Sequence, residues 1–339
     1  MDLQNPKIIL AVQIGKIGDM ILTTPLFSEL KRLFPRSELI VLASEINKDV
    51  PLNHDCVDKV IVFRKNLITN LALIPLLFKK IDVWIDTKDN YSKTSALLVK
   101  ILKPRTSLGY NFDNKVFKIS LNEFMRGKHA ININLSPVNY FQQSKVQLEL
   151  KPSFNIPHAV QNKFESAFNN KSKKNILMNI SAGSPSRCLA KEKWLSIIER
   201  INLKENFAFK LVGVEKDIKI VNFLLKSLAG SDVKYIQTEN IIETSAVVNK
   251  CDYIITADTS VVHICSAFNK PVVALFPGVK WNLNKFAPLS KYPEIIIAGD
   301  TNSIEDIKPE EVAAGFFRLA AKRNSGNAES RTRVRKEDH

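Results

Sequence analysis

The residues whose types and spacing suggest chemistry begin near the N-terminus. The apolar run Ile8 to Gln13 gives way to Ile14-Gly15-Lys16-Ile17-Gly18-Asp19, and a helix-like segment follows at once. A strand that turns directly into a helix leaves backbone amides uncovered at the helix start, where the helix dipole favours negative charge. In a parallel α/β sheet that turn also lies where ligands bind. Two readings stay open for these residues: Gly15, Lys16, Gly18 and Asp19 line a ligand crevice, or the glycines only serve the turn while Asp19 caps the helix and Lys16 is a solvated loop cation. The spacing satisfies neither G-x-G-x-x-G nor the Lys-Ser/Thr ending of a P-loop, which argues against dinucleotide and nucleoside-triphosphate loops.

A second constellation lies far along the chain. The strand-like Tyr253 to Thr256 leads into Ala257-Asp258-Thr259-Ser260-Val261-Val262-His263. Asp258 or Thr259 can cap the helix that follows, which would leave amides around Ser260 and Val261 as a cradle for phosphate. His263 falls one turn after Thr259 on the same helix face. The plainer reading is that Asp258 only caps and His263 is a packed polar residue. Upstream, the turn Ser181-Ala182-Gly183 is followed by Pro185-Ser186-Arg187. This places Arg187 at the same carboxyl edge as Ser260, and its planar fork suits phosphate oxygens. Lys191 and Lys193 read as solvated charges at a helix start. No D-x-D or H-E-x-x-H occurs, and the four cysteines, Cys56, Cys188, Cys251 and Cys265, form no C-x-x-C pair. The expectation is therefore reduced thiols and no metal site.

Positioning these residues requires alternating strands and helices. Ile8 to Gln13, Glu38 to Leu42, Lys59 to Phe63 and Val83 to Asp86 read as strands, with helix-like spacing over Met20 to Phe34 and Ile68 to Phe78. After Pro152, Pro157 and the polar stretch Asn169 to Asn175 the alternation restarts. Strands are expected at Ile176 to Ile180, Phe207 to Val212, Lys234 to Ile236, Tyr253 to Thr256 and Val272 to Phe276. Helices are expected at Glu192 to Ile201, Ile218 to Leu228, Ile242 to Asn249 and Ser260 to Phe268. This is an α/β chain of two Rossmann-like halves, each a parallel sheet covered by helices. The expected divisions are residues 1–157, a linker over 158–175, a second domain over 176–305, a helix over 306–323 and a disordered basic tail over 324–339. Pro309 with Glu310 and Glu311 marks the start of that helix, with Val312, Phe316 and Leu319 on one side.

Charge narrows the partners. The net charge is +15, and residues 1–157 hold 22 basic against 14 acidic side chains. Between Arg64 and Arg105 nine basic residues face three acidic ones, including Lys79 and Lys80 beside an apolar helix. An anionic partner follows. The stretch reads either as a solvated basic surface or as a contact with anionic lipid. No recognition helix or aromatic-rich binding motif appears, so nucleic acid is not an expected partner. The longest apolar stretch, Leu71 to Phe78, falls far short of the roughly 20 residues that span a bilayer. The start of the chain lacks the basic and small-residue pattern of a signal peptide, so the expected location is cytoplasmic.

Taken together, the segments resemble glycosyltransferase family 9, the lipopolysaccharide heptosyltransferases. Ile14 to Leu26 is similar to that family's G-x-x-G-D-x-x-x-x-x-P start, and Ile81 to Asp86, Ser95 to Leu98 and Leu108-Gly109-Tyr110 to its next strand, helix and R-x-G-aromatic run. Ser181 through Trp194 resembles the segment where the family has Lys-Arg-Trp-Pro. Asp258-Thr259-Ser260-Val261-Val262-His263 to Pro271-Val-Val-Ala-Leu-Phe276 is similar to its D-T-G-x-x-H…P-V-V-x-L-F signature. Two departures stand out: Arg187-Cys188-Leu189-Ala190 keeps the cation without Trp-Pro, and Ser260 replaces the usual glycine.

The resemblance implies a GT-B fold of two Rossmann-like domains facing across a cleft, acceptor on the first and nucleotide-sugar on the second. It implies an inverting transfer without metal or cofactor, with ADP-heptose as donor and the lipopolysaccharide core or a related anionic glycolipid as acceptor, peripheral to the inner face of the cytoplasmic membrane. On this reading Asp19 is the catalytic base, with Gly15, Lys16 and Gly18 on the acceptor side. Arg187, Ser181, Gly183, Asp258, Thr259, Ser260 and His263 bind the donor. The alternative is a non-catalytic nucleotide-sugar or glycan-binding module of the same fold.

Overall fold

Each half of the chain builds one six-stranded sheet from short apolar runs. The computed structural model describes residues 5–64, 74–112, 115–142, 151–170, 172–204, 207–299 and 302–337, with only the backbone from 326 onward. The chain divides into two units, Met1–Asn155 and Ile156–His339. In the first, β1 (Ile8–Gln13), β2 (Glu38–Ser44), β3 (Lys59–Phe63), β4 (Val83–Asp86), β5 (Thr106–Gly109) and β6 (Ile119–Ser120) lie in the order β3-β2-β1-β4-β5-β6. In the second, β7 (Asn175–Asn179), β8 (Ala208–Val212), β9 (Val233–Tyr235), β10 (Tyr253–Ala257), β11 (Val272–Phe276) and β12 (Pro293–Ile297) repeat it as β9-β8-β7-β10-β11-β12. Every pairing is parallel.

The strand order reverses beside β1 in one sheet and beside β7 in the other. At such a switch point the neighbouring connections leave on opposite faces, which opens a crevice at the carboxyl ends of the strands. The Gly15–Asp19 turn follows β1, the Asp258–Ser260 segment follows β10, and the Ser181–Gly183 turn follows β7, so all three stand at this edge of their sheets. Register fixes their neighbours: Val12 pairs with Asp86, and Thr256 with Asn179.

Central strands covered on both faces are almost wholly buried, as β4, β7, β8, β10 and β11 are along their full length. One face of the first sheet packs Leu10, Val12, Ile40 and Trp84 under Leu76, Leu98 and Leu102 of two helices. In the second unit Val312, Phe316 and Leu319 are fully buried against the sheet, and the Phe316 ring meets Phe207 and Tyr253 edge-on, with centroids 5.3 Å away. Burying a side chain such as Phe316 contributes roughly 1.5–3 kcal/mol.

Several elements differ from the sequence reading. The helix expected over Met20 to Phe34 is two, Ile17–Ile21 and Thr24–Leu33, because Pro25 cannot donate into a continuing ladder and instead opens the second helix. Of the helix expected at Ile68 to Phe78, Ile74–Phe78 is helical and residues 68–73 lie outside the described residues. Strands β5, β6 and β12 had no separate strand signal. The stretch 158–175 holds a helix, His158–Lys163, and a short turn of 3-10 helix, Glu165–Phe168. The last helix runs Pro309–Glu337, through the stretch expected to be disordered, where Ala, Glu, Arg and Lys are good helix formers and no proline intervenes.

Candidate functional site

β1 ends on a glutamine, and that side chain organises the turn beyond it. Gln13 is 8% exposed; its Oε1 accepts the Gly15 N–H at 3.1 Å, and its Nε2 donates to Thr87 Oγ1 at 2.9 Å and Thr23 Oγ1 at 3.4 Å. Asn47, fully buried, donates from Nδ2 to the carbonyls of Gln13 (2.9 Å) and Gly15 (3.0 Å). Thr23 Oγ1 donates to the Asp19 carbonyl at 2.7 Å and accepts from Asn134 Nδ2 at 3.1 Å. Two buried amides, Gln13 and Asn47, thus satisfy the backbone of one short turn, where an unmet polar group would cost about 1–3 kcal/mol, and Asn134 supports it through the Thr23 hydroxyl.

That clamp revises the roles of the turn residues. Gly15 is a glycine for room: a Cβ there would stand 2.8 Å from Gln13 Oε1 and 3.2 Å from Asp19 Oδ2. Lys16, exposed, is the residue that caps helix Ile17–Ile21 in extended backbone, Gly18 lies within the helix, and Asp19 is its third residue rather than its cap. The Asp19 carboxylate accepts the Lys16 N–H at 3.4 Å, the returning half of a capping box. Asp86, the last residue of β4 and 2% exposed, was not among the expected site residues. Burial pushes its carboxyl up to about 6, against the downward pull of the Ser95 hydroxyl and the Lys88 N–H, the latter at 2.8 Å.

In the second unit an asparagine does the organising. Asn179, last in β7 and 6% exposed, donates to Thr256 Oγ1 at 2.9 Å, to Thr259 Oγ1 at 3.2 Å and to the Ser181 carbonyl at 3.2 Å. Thr259 is the helix cap: its Oγ1 accepts the Val261 N–H at 3.2 Å, so that amide is not part of an anion cradle. Among the described residues the Ser260 N–H has no partner. Asp258, a candidate cap in the sequence, instead sits 3% exposed with Oδ2 held by Asn282 Nδ2 at 2.6 Å and by Arg187 Nη1 at 3.2 Å. Arg187 Nη1 also reaches the Asp258 carbonyl at 3.0 Å. The guanidinium keeps its Nε and Nη2 donors without a partner among the described residues.

The remaining expected residues fall around this pair. Ser181 Oγ donates to Asp217 Oδ2 and accepts the Val214 N–H at 2.8 Å, which ties the β7 and β8 loops. Gly183 is exposed, and a Cβ there would meet nothing within 4 Å, so space does not require the glycine. His263 is 4% exposed with its ring 6.0 Å from that of Phe286, a packed position within the helix. Ser181, Arg187, Asp258, Thr259 and Ser260 are thus brought together, while Gly15, Lys16, Gly18 and Asp19 form their own cluster in the first unit. Sequence reasoning missed Gln13, Asn47, Asn179 and Asn282. For Gln13 and Asn179 the available signal was an amide ending an otherwise β-branched or apolar run; Asn47, in a turn, and Asn282, inside a helix, carry no such mark.

Among the described residues no group of three or more His, Cys, Asp and Glu is placed to hold a metal, and no helix is long and apolar enough to cross a membrane. None of the four cysteines is in a disulfide, and burial pushes the Cys251 and Cys265 thiols well above their usual range.

Paired doubly wound units whose loops gather polar side chains at the strand ends are the GT-B architecture of nucleotide-sugar glycosyltransferases. The chain is similar to the glycosyltransferase family 9 structure from Veillonella parvula DSM 2008, with 16% identity, a TM-score of 0.81, and 93% of this chain and 98% of that one covered. It is similar to E. coli ADP-heptose lps heptosyltransferase II at 19% identity and a TM-score of 0.75, covering 93% and 99%. A more distant fold relative at 8% identity and a TM-score of 0.53, covering 95% of this chain and 78% of that one, is the iron-containing dodecameric glycosyltransferase TibC from enterotoxigenic E. coli H10407. In sequence, 125 residues are 24% identical to a putative lipopolysaccharide heptosyltransferase 4 of E. coli K12, a match covering 34% of this chain and 31% of that protein. The model of glycosyltransferase family 9 (heptosyltransferase) matches residues 75–313, and the chain belongs to that family. The matched span contains Arg187, Asp258 and Thr259 and begins after the Gly15–Asp19 turn.

Proposed function

We propose that the protein transfers heptose from ADP-heptose to the lipopolysaccharide core or a related anionic glycolipid, with inversion and without metal, at the inner face of the cytoplasmic membrane. The observation that carries this reading is the pinned Arg187 beside the Thr259-capped helix, which holds a guanidinium and the Ser260 N–H at one sheet edge. In the reaction the acceptor hydroxyl oxygen attacks the anomeric carbon, the bond from that carbon to the diphosphate oxygen breaks on the opposite face, and Asp19 takes the hydroxyl proton. Arg187 and the Ser260 amide receive the negative charge that builds on the leaving diphosphate. Asp258 and Asn282 orient Arg187, His263 supports the helix turn, and Ser181 with Gly183 borders the donor. Gly15, Lys16 and Gly18 shape the acceptor side around Asp19.

The test is thermal stabilisation by ADP-heptose against a panel of UDP- and GDP-sugars. A ligand at a hundred times its Kd adds about 2.7 kcal/mol to the folded state. Stabilisation by ADP-heptose alone is expected; stabilisation only by a uridine or guanosine donor would replace it, and stabilisation by none would overturn the donor reading. Transfer that persists after EDTA and dialysis is expected, and activity restored only by added metal would remove the metal-free mechanism.

A further inference from the structure

Among the described residues the first unit carries an apolar surface left exposed on two adjoining helices. Helix Ile74–Phe78 is anchored by Leu76 alone, 1% exposed and packed with Leu98 and Leu102. Its other large side chains face outward: Ile74 is 45%, Leu77 53% and Phe78 85% exposed. Helix Lys93–Leu102 packs beside it and adds Leu97 and Ile101, 43% and 46% exposed, one turn from each other on the same face. An apolar cluster of this kind on two adjoining helices marks an interaction site more often than scattered exposure does.

Charge identifies the occupant. Lys80, Lys93, Lys100, Lys103 and Arg105 are all exposed and have no carboxylate partner among the described residues. Lys93 lies one turn from Leu97 on the helix, and Lys100 adjoins Ile101. Lys103 follows the same helix, and the Arg105 N–H bonds the Ile81 carbonyl, which sets Arg105 beside Lys80. The three acids of this stretch do not offset them. Asp82 accepts the Lys7 and Ile8 N–H groups, Asp86 is buried, and Asp89 is only partly exposed. Lys79 and Arg64, basic in the sequence, are instead spent on Glu38 and Glu45.

We propose that the face formed by helices Ile74–Phe78 and Lys93–Leu102 docks on an anionic phospholipid bilayer, with Ile74, Leu77, Phe78, Leu97 and Ile101 entering the headgroup boundary and the basic rim reading the negative surface. Apolar insertion combined with lysines and arginines at headgroup level is the chemistry of interfacial binding. It deepens the glycolipid reading by naming the surface that meets the membrane, and it stands or falls without that reading, because the vesicles used below contain no glycosyl acceptor.

The experiment is vesicle flotation of the full chain with phosphatidylglycerol–phosphatidylethanolamine vesicles and with phosphatidylcholine vesicles. Binding to the anionic vesicles that weakens with salt, and little binding to the neutral ones, is expected. Leu77→Ser with Phe78→Ser reduces partitioning at least tenfold. Lys100→Glu with Lys103→Glu reduces it at least about 25-fold, at about fivefold per charge removed. Lys226→Glu with Lys234→Glu, the same charge change at exposed residues of the second unit, leaves it unchanged. Melting temperatures of the variants confirm folding, since all these positions are solvent-exposed. Three results overturn the proposal: no flotation with anionic vesicles, equal loss in the second-unit control, or a Leu77/Phe78 variant that converts a dimer to a monomer while still floating, which would make the face a protein contact.

Discussion

β1 ends on Gln13 and β7 on Asn179, and each buried amide donates across its switch point to a threonine hydroxyl, Thr87 or Thr256, at 2.9 Å. Beyond that shared bond the two halves diverge. Gln13 is one methylene longer and folds back on its own turn to hold the Gly15 N–H, with Asn47 gripping the carbonyls on either side. Asn179 reaches forward instead, to the cap hydroxyl of Thr259 and the Ser181 carbonyl. One half thereby fixes a backbone that presents a carboxylate, and the other fixes a helix start that presents an amide beside the Arg187 guanidinium, itself held by Asp258. On the proposed mechanism the same strand order serves opposite electrostatic tasks, base on one side and anion support on the other.

The sharpest break of this comparison is Asp19→Asn. If the first half supplies the base, turnover falls by about 10²–10⁴, the range of general-base contributions, while stabilisation by donor persists. Turnover near the wild-type level would remove Asp19 from the chemistry. Next in size is Asp86→Asn, which tests the buried carboxyl beside the clamp. The folded-state value near 6 lies above the ordinary 3.8, so the fold favours the protonated form; its contribution is fully present below 3.8 and is lost as pH rises through 6. At pH 8 the charge costs about 3 kcal/mol, from about 1.36 kcal/mol per unit of that difference. Denaturant melts should show the variant more stable than wild type by up to that amount at pH 8 and equal to it at pH 3.5.

Gln13→Leu and Asn179→Leu set the halves against each other directly. Each leaves buried groups unmatched and should cost about 1–3 kcal/mol in urea melts. The readouts should separate: Gln13→Leu lowers kcat about tenfold and leaves the donor-induced melting shift, whereas Asn179→Leu weakens donor binding about tenfold. Identical kinetic signatures from the two would mean that the amides are structural only. The smallest effect is Thr259→Ala, which removes the cap bond to Val261 and should lower stability by about 1 kcal/mol.

Much of this arrangement was legible in the residues. The β-branched runs located nine of the twelve strands among the described residues, because buried parallel strands are continuous in apolar character. The remaining three, β5, β6 and β12, are short or begin with proline, and Thr106-Ser107-Leu108-Gly109 carries no apolar run at all. The candidate loops were found because turns at helix starts have local composition. Their internal partners were not, since Arg187 meets Asp258 across 71 residues and Asn47 meets Gln13 across 34, and only the folded sheet brings such pairs to one edge. Gly15 serves the turn, and what the turn demands of it is space for the Gln13 and Asp19 side chains. Lys79, basic in the sequence, pairs with Glu38 at the start of β2.

Each unit has its own sheet and its own buried cluster, Leu10 to Leu102 in one and Ile176 to Leu319 in the other. A chain with two such cores need not lose its structure in one step, and calorimetry would then record two heat-absorption peaks in place of one. A nucleotide held by the second core raises only the peak belonging to that core. The melting curve would thus report which half a ligand occupies before any complex is crystallised.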